Sequence, residues 1–102
     1  MHKEGFEKLV RNNTLDCLYP YILKILSEKP THAYVLRKKI EDEFGFRPGN
    51  VTAYRVLYSL KKEGLVNKTD NGRIKVYKVT SKGKKELERV LEFYMKQIKV
   101  LE

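Results

Sequence analysis

The tripeptide Asp70-Asn71-Gly72 restricts the fold of this chain more than any other sequence feature. It separates two short segments rich in β-branched residues, 65–69 (LVNKT) and 73–79 (RIKVYKV). Asp, Asn and Gly are preferred in the tight turns of β-hairpins because they tolerate a positive φ. The other segments have helical periodicity. The pattern therefore predicts a mainly α protein with a small β-hairpin.

Five segments with apolar residues at helical spacing surround this hairpin. They cover residues 3–12, 15–28, 32–44, 51–63 and 81–101. A side-chain oxygen just before a helix can accept a hydrogen bond from a free backbone N–H group. The residues predicted to cap the last four helices in this way are Thr14, Thr31, Asn50 and Thr80. Gly45 and Gly64 are predicted helix stops. Pro20 leaves two possibilities, because the second helix either kinks there or begins near Tyr19 with Pro20 in its first turn.

The helix predicted at 51–63 has two different faces. At about 100° per residue, its apolar residues fall on one side. The predicted core residues are Ala53, Val56, Leu57 and Leu60. The opposite side carries Val51, Arg55, Tyr58 and Lys62, with Thr52, Tyr54 and Ser59 at its flanks. A solvated face usually carries Lys and Glu rather than tyrosine, so this face is predicted to contact a partner.

The positive charge of the chain is concentrated between residues 47 and 85. The 102-residue chain has a formal net charge of +9. This block has eleven Lys or Arg against two acidic residues, and the rest of the chain has eleven of each, so the block accounts for the whole excess. Clustered cations neutralise phosphates, which indicates a polyanionic partner such as nucleic acid. The alternative is a solvated basic surface.

Other classes of protein are not supported by the sequence. No Ser-His-Asp spacing, paired carboxylates in an apolar setting or P-loop is visible, so we expect no enzyme and no cofactor. Cys17 lies in an apolar run and is expected to be a buried structural thiol. His2 and His32 have no cysteine partner at metal-ligand spacing, so no metal site is expected. Without a long apolar run or a signal peptide, we expect a cytoplasmic protein that does not bind membranes.

After the segment at 3–12, the order of the elements is that of a winged helix-turn-helix: three helices, a two-stranded hairpin and a long helix. In such folds the helix corresponding to 51–63 enters the major groove of DNA, and the hairpin, or wing, contacts the backbone or the minor groove. We therefore predict one domain over residues 1–102. Its winged-helix DNA-binding core would cover residues 14–79, followed by a C-terminal helix at 80–102.

The C-terminal helix carries apolar residues spaced by four, three, four and three positions, which is a heptad seam. The seam consists of Leu87, Leu91, Tyr94, Ile98 and Leu101, with Val90 beside it. It covers about two heptads, too few to predict an autonomous coiled coil. It packs either on its own domain or on a second copy of the chain.

The sequence resembles the PadR-like transcriptional regulators over residues 15–88. The segments that carry the resemblance are ILKILSEKPTHAYVLRKKIEDEFG, the PG dipeptide, YRVLYSLKKEGLV and VYKVTSKGKKELE. Residues 32–34 read HAY where the family usually has HGY. Four residues, 50–53, separate the PG dipeptide from Tyr54, which lengthens the start of the predicted recognition helix relative to the usual family pattern.

The resemblance implies a homodimeric transcription factor, commonly a repressor. In this family the C-terminal helix forms the dimer with contacts from the N-terminal helix. The resemblance thus makes the seam residues Leu87, Val90, Leu91, Tyr94, Ile98 and Leu101 the predicted dimer interface, with residues 3–12 contributing. Some members bind aromatic small molecules near that interface. This chain has no Trp to sandwich such a ligand, so any effector stays unknown.

Ten residues are predicted to contact double-stranded DNA. They are Tyr34, Asn50, Thr52, Tyr54, Arg55, Tyr58, Lys62, Lys68, Arg73 and Lys75. Arg55 reaches either guanine O6 and N7 or a phosphate. Asn50 and Thr52 lie where a helix N-terminus favours phosphate, although Asn50 has the alternative role of a cap alone.

The other predicted contacts are mostly with the DNA backbone. Tyr54 and Tyr58 would donate a hydroxyl to phosphate or stack on sugar, unless they pack on a neighbouring helix. Lys62 flanks the groove or is only solvated. The wing would supply Lys68 and Lys75 to phosphates and Arg73 to the minor groove. Tyr34 either contacts a phosphate or fixes its turn together with His32.

The function predicted from these features is that of a sequence-specific, homodimeric DNA-binding regulator. Two alternatives remain open at this point. A winged helix can be a protein–protein interaction module, and a basic one can coat DNA without sequence preference.

Overall fold

The computed structural model describes residues 2–71 and 74–102. Its helices are α1 (His2–Asn12), α2 (Tyr19–Glu28), α3 (Leu36–Phe44), α4 (Asn50–Lys62) and α5 (Ser81–Leu101). Its strands are β1 (Thr31–His32), β2 (Val66–Asn71) and β3 (Ile74–Val79), and a 3₁₀ turn, Ala33–Val35, precedes α3. The predicted fold class, mainly α with a winged helix-turn-helix, is confirmed. No helix within the described ranges is long and apolar enough to span a membrane.

The sheet has three antiparallel strands in the order β1-β3-β2, one more than the predicted hairpin. Strand β1 pairs Thr31 with Tyr77 and His32 with Val76. The prediction that Thr31 caps a helix is therefore wrong. Its hydroxyl donates a hydrogen bond to the Lys29 carbonyl (3.0 Å), and α3 begins only at Leu36. A two-residue strand has too little periodicity to be seen in the sequence, because it exists only through its pairing with β3.

The hydrophobic core lies between the inner face of the sheet and helices α2, α3 and α4. Its fully buried members come from all of these elements: Ile22, Leu23, Ile25, Leu36, Ile40, Leu57 and Val66. Tyr77 is buried on β3. Cys17 is only half-buried, so the prediction of a buried thiol is wrong. It lies just before α2, at the margin of the core.

The helix ends test the predicted caps and stops. Helix α2 begins at Tyr19 with Pro20 in its first turn, so the second of the two possibilities for Pro20 is correct. The cap predicted at Thr14 is wrong, since its hydroxyl donates to the Val10 carbonyl at the end of α1 (2.8 Å). The cap predicted at Asn50 is also wrong, because Gly49 occupies the N-cap position and Asn50 is the first helical residue.

The glycine stops are confirmed. Gly45 and Gly64 have φ values of 81° and 78°, the left-handed conformation in which glycine carries no Cβ penalty. Gly64 turns the chain sharply after α4, so that β2 returns along the same helix into the sheet.

The start of α5 is bonded to the end of α4. The Thr80 hydroxyl caps α5 by accepting from the Gly83 amide (3.0 Å) and donates to the Gly64 carbonyl (2.8 Å). The Thr80 amide donates to the Leu65 carbonyl (3.0 Å). Lys82 Nζ donates to the Glu63 carbonyl (2.9 Å). We call this group of contacts the α4–α5 clamp. It ties the C-terminal helix to the turn that directly follows α4.

Replacing Thr80 with alanine removes both the cap and the bond to Gly64. We expect the free energy of unfolding to fall by about 1–2 kcal/mol, the combined value of one N-cap and one exposed hydrogen bond. Urea unfolding at fixed protein concentration measures the change. Thr80→Ser keeps the hydroxyl and serves as the matched control. An equal loss in both variants would contradict the role of the hydroxyl.

Candidate nucleic-acid interface

The outer face of α4 presents a continuous stripe of exposed side chains. Val51, Arg55, Tyr58 and Lys62 follow one another at intervals of four, three and four residues, which places them on one side of a helix. Val51 is 70% exposed and Tyr58 is 67% exposed. The stripe faces outward because Ala53, Leu57 and Leu60 on the opposite side are buried in the core. We call it the α4 stripe.

The flanks of this stripe are also accessible. Asn50 and Thr52 are exposed in the first turn of α4, where backbone N–H groups have no acceptor within the helix and attract anions. Because Asn50 is not a cap, its amide is not engaged in capping α4. Tyr54 is 41% exposed, which leaves it intermediate between the predicted contact and the alternative of packing on a neighbour. Tyr58 is clearly on the accessible side.

The loop before α4 is held by a residue that sequence reasoning missed. Arg37 Nε on α3 donates to the Pro48 carbonyl (2.8 Å), and Pro48 is itself buried. This bond joins the two helices of the helix-turn-helix at the point where α4 begins. In the sequence Arg37 is only one polar residue on a helix, so no local signal identifies its tertiary partner.

The wing places two of its three predicted DNA contacts on one surface. Lys68 pairs across the sheet with Tyr77, and Lys75 lies two residues before Tyr77 on β3, so all three side chains point to the same face. Tyr77 is buried there, whereas Lys75, nearer the turn, is exposed and Lys68 is half-buried. Arg73 lies outside the described residues.

Tyr34 lies at the start of the helix-turn-helix and is 72% exposed. Its ring stacks obliquely on His32, with centroids 5.4 Å apart and planes at 33°. Within the described chain neither side chain forms a hydrogen bond, and His32 Nδ1 is buried without a partner. The ring contact orients Tyr34, and the exposed hydroxyl remains available to a phosphate.

Most of the cations of the 47–85 block that the structure describes are exposed and form no salt bridge. Arg55, Lys61, Lys62, Lys75 and Lys78 are exposed. Among the side chains that the structure describes, the one salt bridge formed by a cation of the 47–85 block joins Arg47 to Glu41 (3.1 Å). The other cations of the block that the structure describes therefore keep their charge uncompensated, which is the arrangement expected of a surface that neutralises phosphates.

A second accessible surface is apolar and lies on α1 and α5. The seam residues of α5 fall into two groups, those packed on their own domain and those exposed to solvent. Leu87 packs against the core, and Val90 and Tyr94 are half-buried. Leu91, Ile98 and Leu101 are exposed, as are Phe93, Met95 and Val100. On α1 the exposed apolar residues are Phe6, Leu9 and Val10. The described part of the chain leaves both stripes uncovered.

Polar contacts fix α5 against the start of α2 and against the residue that follows α1. The Tyr19 hydroxyl donates to Glu86 Oε2 (2.9 Å), and the Tyr94 hydroxyl bonds to Asn13 Oδ1 (3.1 Å). Burial, together with the bond to the Glu86 carboxylate, raises the pKa of Tyr19 to about 12. Burial also raises the pKa of Tyr94. The raised pKa values keep both hydroxyls protonated, and so able to donate, to a higher pH than an ordinary tyrosine.

Comparison with known protein families identifies one that this chain matches. The model of the transcriptional regulator PadR-like family matches residues 22–89, which include most of α2, the α4 stripe, the wing and the α4–α5 clamp. This chain belongs to the PadR-like family. Members of the family are transcriptional regulators, so the prediction that the protein is not an enzyme is confirmed. A search among proteins of curated function found no match.

Solved structures similar to this PadR-like chain share its fold. A PadR family transcriptional regulator from Eggerthella lenta superposes with a TM-score of 0.81 at 24% identity, over 98% of this chain and 91% of that one. A transcriptional regulator from Clostridium thermocellum gives 0.73 at 24% identity, over 81% and 84% of the two chains. A PadR family regulator from Clostridium difficile gives 0.69 at 22% identity, over 81% and 92%.

Proposed function

We propose that this PadR-like regulator is a homodimeric repressor that binds a specific, two-fold symmetric DNA site. The observation that carries the proposal is the α4 stripe, an exposed row of residue types that contact bases and phosphates. The stripe lies within the basic block at 47–85, whose described cations other than Arg47 form no salt bridge. Such a regulator acts on chromosomal DNA in the cytoplasm. Repression follows when the bound dimer blocks access to a promoter.

In the proposed complex the N-terminal half of α4 lies in the major groove, as recognition helices do. Arg55 reaches guanine O6 and N7 with its two parallel donors. Asn50 and Thr52 bind a phosphate together with the backbone N–H groups of the first turn. Tyr58 and Lys62 continue along the stripe toward the backbone, and Tyr54 contacts it from the flank.

The contacts outside α4 position the protein on the duplex. Lys68 and Lys75 on the wing neutralise phosphates, and we assign Arg73 to the minor groove from its place in the sequence directly after Gly72. Tyr34 donates its hydroxyl to a phosphate on the other side of α4. These contacts add affinity without distinguishing one base from another.

The dimer is proposed to form through the apolar stripes of α1 and α5. Large exposed apolar surfaces on a small domain mark association sites. A two-fold axis between two α5 helices lets each copy's α1 cover the other copy's α5, which buries both stripes at once. Leu91, Ile98 and Leu101 lie at the centre of this interface. Leu87, Val90 and Tyr94 support α5 from its own domain and border the interface.

Selection of duplexes from a random pool at near-physiological salt tests the proposed function. We expect a two-fold symmetric motif whose half-sites lie about one helical turn apart. Enrichment of no sequence, with binding that falls steeply with salt, would indicate non-specific DNA coating instead. Absence of any binding to duplex DNA would favour a protein–protein interaction module.

The division of labour between α4 and the wing is tested with Arg55→Ala and Lys75→Ala. We expect Arg55→Ala to lose about 1–3 kcal/mol of discrimination at one base pair of each half-site. We expect Lys75→Ala to weaken binding to all sequences alike and to reduce the salt slope by about one. Titrations of the selected site and of a single-base variant at several salt concentrations measure both effects. Equal losses on every sequence for both variants would contradict the assignment of Arg55 to a base.

A further inference from the structure

Val51 has no evident role in the stability of the chain. It lies in the first turn of α4 and is 70% exposed. It is absent from the hydrophobic core and from the side chains packed against it. A β-branched residue also lowers helix propensity relative to alanine. Stability therefore gives no reason for a valine at this position.

The surroundings of Val51 leave it open to a partner that approaches α4 closely. Pro48 is buried, and Gly49 at the N-cap has no side chain. A Cβ added to Gly49 would meet no atom nearer than Thr52 Oγ1 at 4.0 Å. The neighbours of Val51 along the α4 stripe are Arg55 and Tyr58, so Val51 is the only aliphatic side chain of that stripe.

We infer that Val51 reads the C5-methyl group of a thymine in the major groove, close to the guanine assigned to Arg55. The thymine methyl is the apolar group on the major-groove edge of the base pairs, and aliphatic side chains recognise it by contact. Recognition helices make their base contacts near the N-terminus, where Val51 lies. One helical turn separates Val51 from Arg55, about 6 Å along the axis. The thymine therefore lies within about two base-pair steps of that guanine.

This inference rests on the proposed function, because it requires that α4 reads bases. The selected operator is the probe. Each thymine of the half-site is replaced in turn, in both half-sites, by 2′-deoxyuridine, which keeps every hydrogen-bonding group and lacks only the C5-methyl. Affinities of the intact protein and of Val51→Ala are measured for each duplex. Thymines in the spacer between the half-sites, replaced in the same way, serve as controls.

For the intact protein we expect one thymine position at which deoxyuridine weakens binding by about four-fold per half-site, the value of burying one methyl-sized group. We expect Val51→Ala to bind the operator more weakly and to bind the thymine and deoxyuridine duplexes equally. Spacer replacements should change neither protein's affinity. The contact is identified if the Val51→Ala substitution alone abolishes the loss of affinity that removal of the thymine methyl causes.

Two results would overturn the inference while leaving the proposed function intact. One is an enriched operator in which no thymine is sensitive to deoxyuridine. The other is a sensitive thymine whose penalty is the same in Val51→Ala. Failure to enrich any sequence would overturn both proposals together. Because Val51 is exposed and alanine favours helix, the variant should retain the thermal stability of the original chain, and its unfolding curve verifies that it is folded.

Discussion

Replacing Gly83 with alanine is expected to lower the free energy of unfolding by about 3 kcal/mol, at the upper end of the usual effect of overpacking. Gly83 is buried in the first turn of α5. A Cβ at this position would overlap the Leu65 carbonyl oxygen and would also press on Val79 Cγ2. The carbonyl belongs to backbone and cannot rotate away as a side chain would. It also accepts the hydrogen bond of the Thr80 amide, so the α4–α5 clamp must open to admit a methyl group.

The chain offers a matched control in Gly5, a helical glycine whose added Cβ would meet nothing within 4 Å. Gly5→Ala should be neutral or should raise stability by about 0.5–1 kcal/mol, because alanine restricts the unfolded chain and favours helix. Chemical unfolding of both variants at equal protein concentration decides the prediction. If Gly83→Ala were as stable as Gly5→Ala, the close approach of α5 to Leu65 would not exist in solution.

The double variant Ile98→Gln, Leu101→Gln is expected to be monomeric and to bind its operator about 10²–10⁴-fold more weakly than the original chain. Leu101 is 84% exposed and Ile98 is 61% exposed, so polar replacements cost the monomer little. In the proposed dimer they would place two amides in an apolar interface without partners. The loss of DNA affinity follows because two linked half-site contacts become two independent ones.

Sedimentation or light scattering gives the oligomeric state of this variant, and titration with operator DNA gives its affinity. Val100→Gln is the matched control, since Val100 is an equally exposed apolar residue on the other side of α5. It should remain dimeric. A double variant that stays dimeric, or a Val100→Gln protein that dissociates instead, would place the interface on a different side of α5.

The sequence correctly predicts elements that have a long periodic pattern or contain a residue that favours a particular backbone conformation. Helix α4 was predictable because thirteen residues repeat one apolar face, and its end because Gly64 adopts a positive φ. The hairpin was predictable from its turn signal and β-branched flanks, but two of the three predicted turn residues, Asp70 and Asn71, are paired within the sheet, with Lys75 and Ile74. The cap at Thr80 was predicted correctly because the hydroxyl acts within its own helix.

The features that the sequence does not predict depend on partners distant in the chain. Strand β1 consists of two residues and is defined by its pairing with β3, so Thr31 has the local signature of a cap. Gly83 appears in the sequence as an unfavourable residue in a helix, and only the approach of Leu65 explains it. Arg37 likewise has no local signature, whereas helical periodicity already placed Val51 on the outer face of α4 without indicating its exposure. The first is identified by its bond to Pro48, and the second by its exposure on the α4 stripe.

The α4–α5 clamp affects how the operators of related regulators can differ in spacer length and in base sequence. Since α5 is bonded to the turn that directly follows α4, the distance between the two recognition helices of the proposed dimer depends on the angle at which the two α5 helices cross. Substitutions in the α5 interface then alter the spacer length that the dimer accepts, and substitutions on the α4 stripe alter the bases that it reads. The spacer length and the base sequence of the operator thus depend on different segments of the chain, α5 and α4, and each can change without the other.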